Sequence, residues 1–210
     1  MTTLLLVHGW GFDARIWDAV AARLDGIGHA AMDLGFRGPP RIPEVVRPVV
    51  VGHSMGFAWA LANVARPWAG AVAVNAFPRF TRTDDFPDGV PPHRLARMRA
   101  QFAVDPAGTT AGFLAQCGMA EPAIDDIRPA PLGEALAWLE TCDQRAALAA
   151  LDCPVLALAG GADPLVTPAM ARSGFSEGAL DILPAGGHLL PITHPDWLAA
   201  RIRAFAARWT

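Results

Sequence analysis

Short unbroken apolar runs punctuate the chain, and most of them stop at a glycine-rich turn carrying a histidine, serine or aspartate. Leu4–Val7 is the first, residues 49–51 (three valines) the next, followed by residues 72–74 and 154–159, and a further strand signal, interrupted by Asp181, recurs at Leu180–Leu183. Apolar runs without polar alternation suit strands buried on both faces, the mark of a parallel sheet. A weaker strand is expected at residues 30–34. Segments of helical period lie between these runs. After Asp13, a capping residue, Ile16, Trp17, Val20 and Leu24 share one face. Residues 57–64 form helix directly after the valine strand. Pro195 opens a closing helix with Trp197, Leu198, Ile202 and Phe205 on one side. Residues 35–43 are rich in glycine and proline, and only about a dozen residues precede the valine strand, too few for a full helical crossover. That helix is therefore either vestigial or replaced by irregular chain.

The pattern changes between residues 78 and 151. No strand signal occurs there, and helices are expected at residues 92–102, 107–117 and 132–148. The stretch reads as a helical insertion over the strand ends. The expected fold class is α/β: a doubly wound, mostly parallel sheet of about six strands with a helical cap insertion. Residues 1–77 and 152–210 would form the core and residues 78–151 the cap.

Composition narrows the function. The 210 residues are 52% hydrophobic, ample for one large core, and the net charge of −3 argues against nucleic acid or a membrane surface as partner. There is no lysine and no tyrosine. Walker-type phosphate binding, lysine Schiff bases and Tyr-Lys dehydrogenase chemistry are thereby excluded. Cys117, Cys142 and Cys153 lack metal-ligand spacing and read as buried free thiols, so no metal and no cofactor is expected. No basic leader or membrane-length apolar run appears, and a cytoplasmic protein is expected.

Serine occurs only at positions 54, 173 and 176. Ser54 lies in Gly52-His53-Ser54-Met55-Gly56, between the valine strand and a helix, the context of a nucleophile elbow. A small-residue turn would be the plain reading of that pentapeptide alone. Ligands in an open α/β sheet sit beyond the carboxyl ends of the strands, and His8-Gly9-Trp10, Asp163 and His188 follow other strands there. The candidate catalytic residues are Ser54 as nucleophile, His188 as general base and Asp163 as its orienting acid. Backbone N–H groups of Trp10 and Met55 are the candidate oxyanion hole. Among rivals, His194 reads as a cap at a helix entrance and His53 as pointing away from the reacting centre. His8 is expected on loop backbone, and His29 and His93 on the surface. Asp152 and Asp181 stand at the wrong ends of their strands.

The motifs HGWG at 8–11, GHSMG at 52–56, GGADPLVTP at 160–168 and GGHLLPITHP at 186–195, in the chain order Ser, Asp, His, resemble the α/β-hydrolase superfamily. Within it the chain is similar to pimeloyl-[acyl-carrier protein] methyl ester esterases of biotin synthesis. Trp17 after HGWG, the segment FPRFTRTDDFPDGVPPHRLARMRAQF with GFLAQCG, and WLETCDQRAALAALDCPVL carry that similarity. The resemblance implies a serine carboxylesterase working through an acyl-enzyme. A small-ester esterase, thioesterase, C–C hydrolase or a non-catalytic binding protein on the same fold are the alternatives. Departures are the missing hairpin before HGWG, DLGFRGPP in place of a DLPGFGRS-type loop, the shortened helix, and Phe57 in place of a second glycine. Such compaction is similar to the BioG-type esterases. Trp10, Met55, Phe77 and Phe113 are candidate substrate contacts, with plain core packing as the other reading. Arg94, Arg97 and Arg99, with Arg79 and Arg82 before them, either meet an acidic acyl carrier protein or form a solvated face. The expected substrate is thus a small-molecule or carrier-bound ester.

Overall fold

Six strands form a single sheet, all parallel, in the order β2-β1-β3-β4-β5-β6. The computed structural model describes residues 3–209. The strands are β1 (Leu4–Val7), β2 (His29–Met32), β3 (Val49–His53), β4 (Gly70–Val74), β5 (Val155–Gly160) and β6 (Leu180–Leu183). Alternate side chains go to opposite faces, as the pleat requires. Leu4, Leu6, Val49, Val51, Val72 and Val74 pack beneath α1 (Asp18–Ala21) and α9 (Pro195–Ala206). Leu5, Val7, Val50, Ala71 and Ala73 face α2 (Met55–Asn63) on the other side. Both faces are covered, so the strands can be apolar throughout.

The chain leaves β1 for β2 on one side and returns as β3 on the other. This reversal opens a crevice beyond the ends of β1 and β3, where α/β sheets place their ligands. The β2–β3 connection runs irregularly, held by an isolated bridge between Asp33 and Arg41 and by the Arg41 guanidinium on the Ala31 carbonyl at 2.9 Å. Irregular chain therefore replaces the crossover helix. Between β4 and β5 lie α3 (Pro92–Val104), α4 (Pro106–Gln116), α5 (Pro129–Thr141) and α6 (Arg145–Ala149). Each of the first three starts with proline in its first turn, where a missing N–H costs nothing. The single helix expected at 132–148 is broken at residues 142–144. Asp143 there takes ion pairs from Arg79 and from Arg145, and its backbone bridges to Arg79.

Leu95, Phe102, Leu132, Leu136 and Leu139 of α3 and α5 form a second apolar cluster with Trp10, Met55 and Phe77 from the sheet side. These helices sit on the strand ends rather than on either sheet face. The remaining elements are α7 (Pro168–Gly174), capped by the Thr167 hydroxyl, and α8 (Leu190–Thr193). In α9, Leu198, Ile202 and Phe205 recur at helical spacing and are buried, while Arg23 reaches Asp196 in its first turn at 2.6 Å. Cys117 and Cys142 are buried and Cys153 is half-buried; all three are free thiols. Among the described residues no helix is long and apolar enough to cross a membrane.

Candidate active site

Ser54 stands between β3 and α2 with φ 53° and ψ −129°, a conformation non-glycine residues rarely adopt. Its N–H is tied to the Val74 carbonyl at 2.9 Å, which keeps the turn attached to the sheet. The flanking glycines are forced by contact. A Cβ on Gly52 would lie 2.4 Å from the Phe57 Cα, and one on Gly56 2.3 Å from the His8 carbonyl oxygen. The turn is therefore sharp enough to bring α2 hard against β1 and to lift Ser54 to the crevice. Met55 is the first residue of α2, and its N–H is among those a helix start leaves without an internal partner.

Asp163 follows β5 and His188 follows β6. The His188 Nδ1–H donates to Asp163 Oδ2 at 2.8 Å, with both side chains wholly buried. Asp163 Oδ1 accepts the N–H groups of Leu165 at 2.8 Å and Val166 at 3.0 Å. Burial alone would raise the Asp163 pKa. The charge and hydrogen bond of His188, the Asn75 amide and the Leu165 N–H outweigh it, so the carboxyl titrates below its ordinary range and stays ionised. With its proton on Nδ1, the His188 ring carries its lone pair on Nε2, which is buried and makes no hydrogen bond. No hydrogen bond joins Ser54 to His188.

Two further side chains hold the His188 loop. The Asn75 Nδ2 group donates to Asp163 Oδ2 and to the Gly187 carbonyl at 3.0 Å. His53 Nε2–H donates to the His188 carbonyl at 3.0 Å, and the two rings lie 4.9 Å apart. His53 thus points away from Ser54 as expected but towards the backbone of His188. Burial above all, then the His188 charge, pushes its pKa down to about 3, so it is neutral. Asn75 was not among the sequence candidates. The available signal was a lone amide ending a buried apolar strand beside the nucleophile strand.

Ser54 opens into a narrow apolar pocket, and the pocket wall contains all four sequence candidates: Trp10, Met55, Phe77 and Phe113. Leu95, Met98, Leu136 and Leu139 of α3 and α5 close it from above. The Trp10 indole N–H donates to the Leu132 carbonyl at 2.9 Å, fixing this ring to α5. No charged side chain lines the pocket. The rival histidines lie elsewhere. His8 binds the Gly9 carbonyl at 2.9 Å and accepts the Leu34 N–H at 2.9 Å, and His194 meets the Thr193 hydroxyl at 2.8 Å. His29 and His93 are exposed. On α3, Arg94 and Arg97 are exposed, whereas Arg99 is paired with Glu140 of α5.

A parallel sheet with an elbow serine over an apolar pocket beneath helices, beside a buried Asp–His pair, defines the class: a hydrolase of the α/β type. The pattern of the alpha/beta hydrolase family matches residues 42–201, and the chain belongs to that family. It is 31% identical to the pimeloyl-[acyl-carrier protein] methyl ester esterase of Stenotrophomonas maltophilia, over 97% of this chain and 92% of that one. The enzyme of the same name from Serratia marcescens is 28% identical, over 97% and 93%. Among solved structures, an esterase from Exiguobacterium antarcticum superposes with a TM-score of 0.84 at 15% identity, covering 99% of this chain and 92% of that one.

Proposed function

We propose that the chain is a serine carboxylesterase in which Ser54, His188 and Asp163 form the catalytic triad. Its proposed substrate is the methyl ester of an acyl chain carried by an acyl carrier protein, with pimeloyl as the acyl group and biotin synthesis as the setting. One observation carries the reading: a strained elbow serine at the mouth of a pocket without charge, with an Asp163-bound histidine whose Nε2 is unoccupied. The names of the relatives supply the acyl and leaving groups.

In the proposed reaction Ser54 Oγ attacks the ester carbonyl and its proton passes to His188 Nε2. The tetrahedral oxyanion is held by the N–H groups of Met55 and Trp10, which act where charge develops. Collapse expels methoxide, which takes the proton from the imidazolium and leaves as methanol. Water then attacks the acyl-enzyme by the same proton path, and the carboxylate product is released. A free carboxylate has no partner in the apolar pocket, which favours its departure. Residues 78–151 act as the cap, and Arg94 and Arg97 are the proposed docking points for the acidic carrier, since Arg99 is engaged with Glu140.

The experiment is hydrolysis of pimeloyl-carrier methyl ester by the purified protein, followed by methanol release, with rescue of a biotin auxotroph lacking its own methyl-ester esterase. Turnover of this ester together with rescue supports the assignment. Good activity on p-nitrophenyl esters with neither carrier-ester turnover nor rescue would leave an esterase of other physiology.

A further inference from the structure

We propose that Asn75 is a positioning residue: its side-chain amide locks the acid Asp163 and the backbone before the base His188 into one alignment. The proposal rests on the triad reading above. Asn75 immediately follows β4, the strand between those leading to Ser54 and Asp163. It is wholly buried and has φ 45°, a left-handed conformation that asparagine tolerates better than most residues. Its Nδ2 group faces two acceptors, Asp163 Oδ2 and the Gly187 carbonyl, which fixes the orientation of the amide.

Asp163 Oδ2 is also the oxygen that takes the His188 Nδ1–H. One amide group thus touches the acid at its working atom and the peptide bond immediately before the base. On the far side of that residue, His53 holds the next carbonyl. The titratable groups around this cluster are Asp163, His188, His53, His8 and Cys117. His53 is neutral down to about pH 3, and burial raises the Cys117 thiol well above its ordinary range. Asp163 is therefore the charge that Asn75 governs. The positive end of the amide dipole offsets part of the carboxylate field felt by the imidazole. Removing it favours the protonated, inactive ring.

The test compares full-length Asn75→Gly and Asn75→Asp with wild type on p-nitrophenyl butyrate across roughly pH 5.5 to 9.5, beside Ser54→Ala. Both replacements accept positive φ, so neither strains the backbone. The expected kcat falls about tenfold to a hundredfold, with KM within about twofold of wild type. The acidic limb of kcat/KM moves to higher pH by up to about one unit for Asn75→Gly, and by less for Asn75→Asp, whose buried carboxyl shares a proton with Asp163 and so still donates to Oδ2 while leaving the Gly187 carbonyl unpaired. A purely structural role would lower the melting temperature and the amount of active enzyme without moving that limb. Wild-type kinetics, or a loss of kcat with the limb unmoved, overturns the proposal; if Asn75→Asp does not fold, Asn75→Gly is judged by the same two criteria. Activity surviving in Ser54→Ala would fell the triad and this proposal together. An inactive Ser54→Ala beside Asn75 variants like wild type fells this proposal alone.

Discussion

Replacing Asp163 by asparagine changes one atom at the point where four hydrogen bonds meet. Oδ1 takes the N–H groups of Leu165 and Val166, while Oδ2 takes the His188 Nδ1–H and the Asn75 amide. An asparagine has one acceptor oxygen, and the two backbone donors claim it. Its NH2 group then faces the NH2 group of Asn75, donor against donor. His188 can bond to it only by accepting at Nδ1, which moves the ring proton to Nε2 and leaves no lone pair for the Ser54 proton. The imidazolium formed during reaction also loses its buried counter-charge. The expected loss in kcat is about 10⁴-fold, or about 5 kcal/mol of barrier. The donor–donor contact costs about 1–3 kcal/mol of stability, a fall in Tm of several degrees for a domain this size. The assay is kcat on p-nitrophenyl butyrate at neutral pH, corrected for folded protein by circular dichroism. A folded Asp163→Asn protein within about tenfold of wild type would refute the role given to this carboxylate.

Further outcomes follow from the neighbouring groups. His53 is neutral when folded but takes up a proton on unfolding below its ordinary value of 6.5, so stability should fall as pH drops from 6.5 towards 3, by at most about 1.4 kcal/mol per pH unit. His53→Gln should flatten that acid dependence in thermal unfolding between roughly pH 4 and 7; an unchanged slope would place the sensitivity elsewhere. Arg94→Glu with Arg97→Glu should raise KM for the carrier substrate and leave p-nitrophenyl ester turnover unchanged, and carrier turnover by wild type should fall as salt screens charges beyond about 8 Å. Proportional loss of both activities would mean these arginines hold the cap together instead.

Strands whose neighbours bury both faces were legible because burial leaves only apolar residues, and Leu4–Val7 was expected at its observed limits; the half-buried edge strand Leu180–Leu183, which carries Asp181, was also expected at its limits. The outer strand β2 begins at an exposed histidine, and its signal was correspondingly weak. The break between α5 and α6 carries no proline or glycine. Asp143 there is held by Arg145 close by and by Arg79, 64 residues away, and the second partner is one that no local pattern reveals. The same limit explains Asn75 and Arg99. Their partners Asp163 and Glu140 lie 88 and 41 residues away, so the functional weight of the first and the engagement of the second exist only in the folded chain. Ser54, Asp163 and His188 were candidates because each stands past a strand, in turns where a side chain on Gly52, Gly56, Gly160 or Gly161 would run into neighbouring backbone.

The mechanism stands or falls with its nucleophile, and the scarcity of serine makes that residue directly testable. The protein is inactivated with a fluorophosphonate, digested, and the adduct is located by peptide mass mapping. Only Ser54, Ser173 and Ser176 can carry it as serine esters. One adduct per chain is expected, on Ser54, forming in step with the loss of esterase activity and absent from both His188→Ala and Ser54→Ala proteins. An active enzyme that stays unlabelled, or an inactivating adduct on Ser173 or Ser176, would contradict the assignment of Ser54.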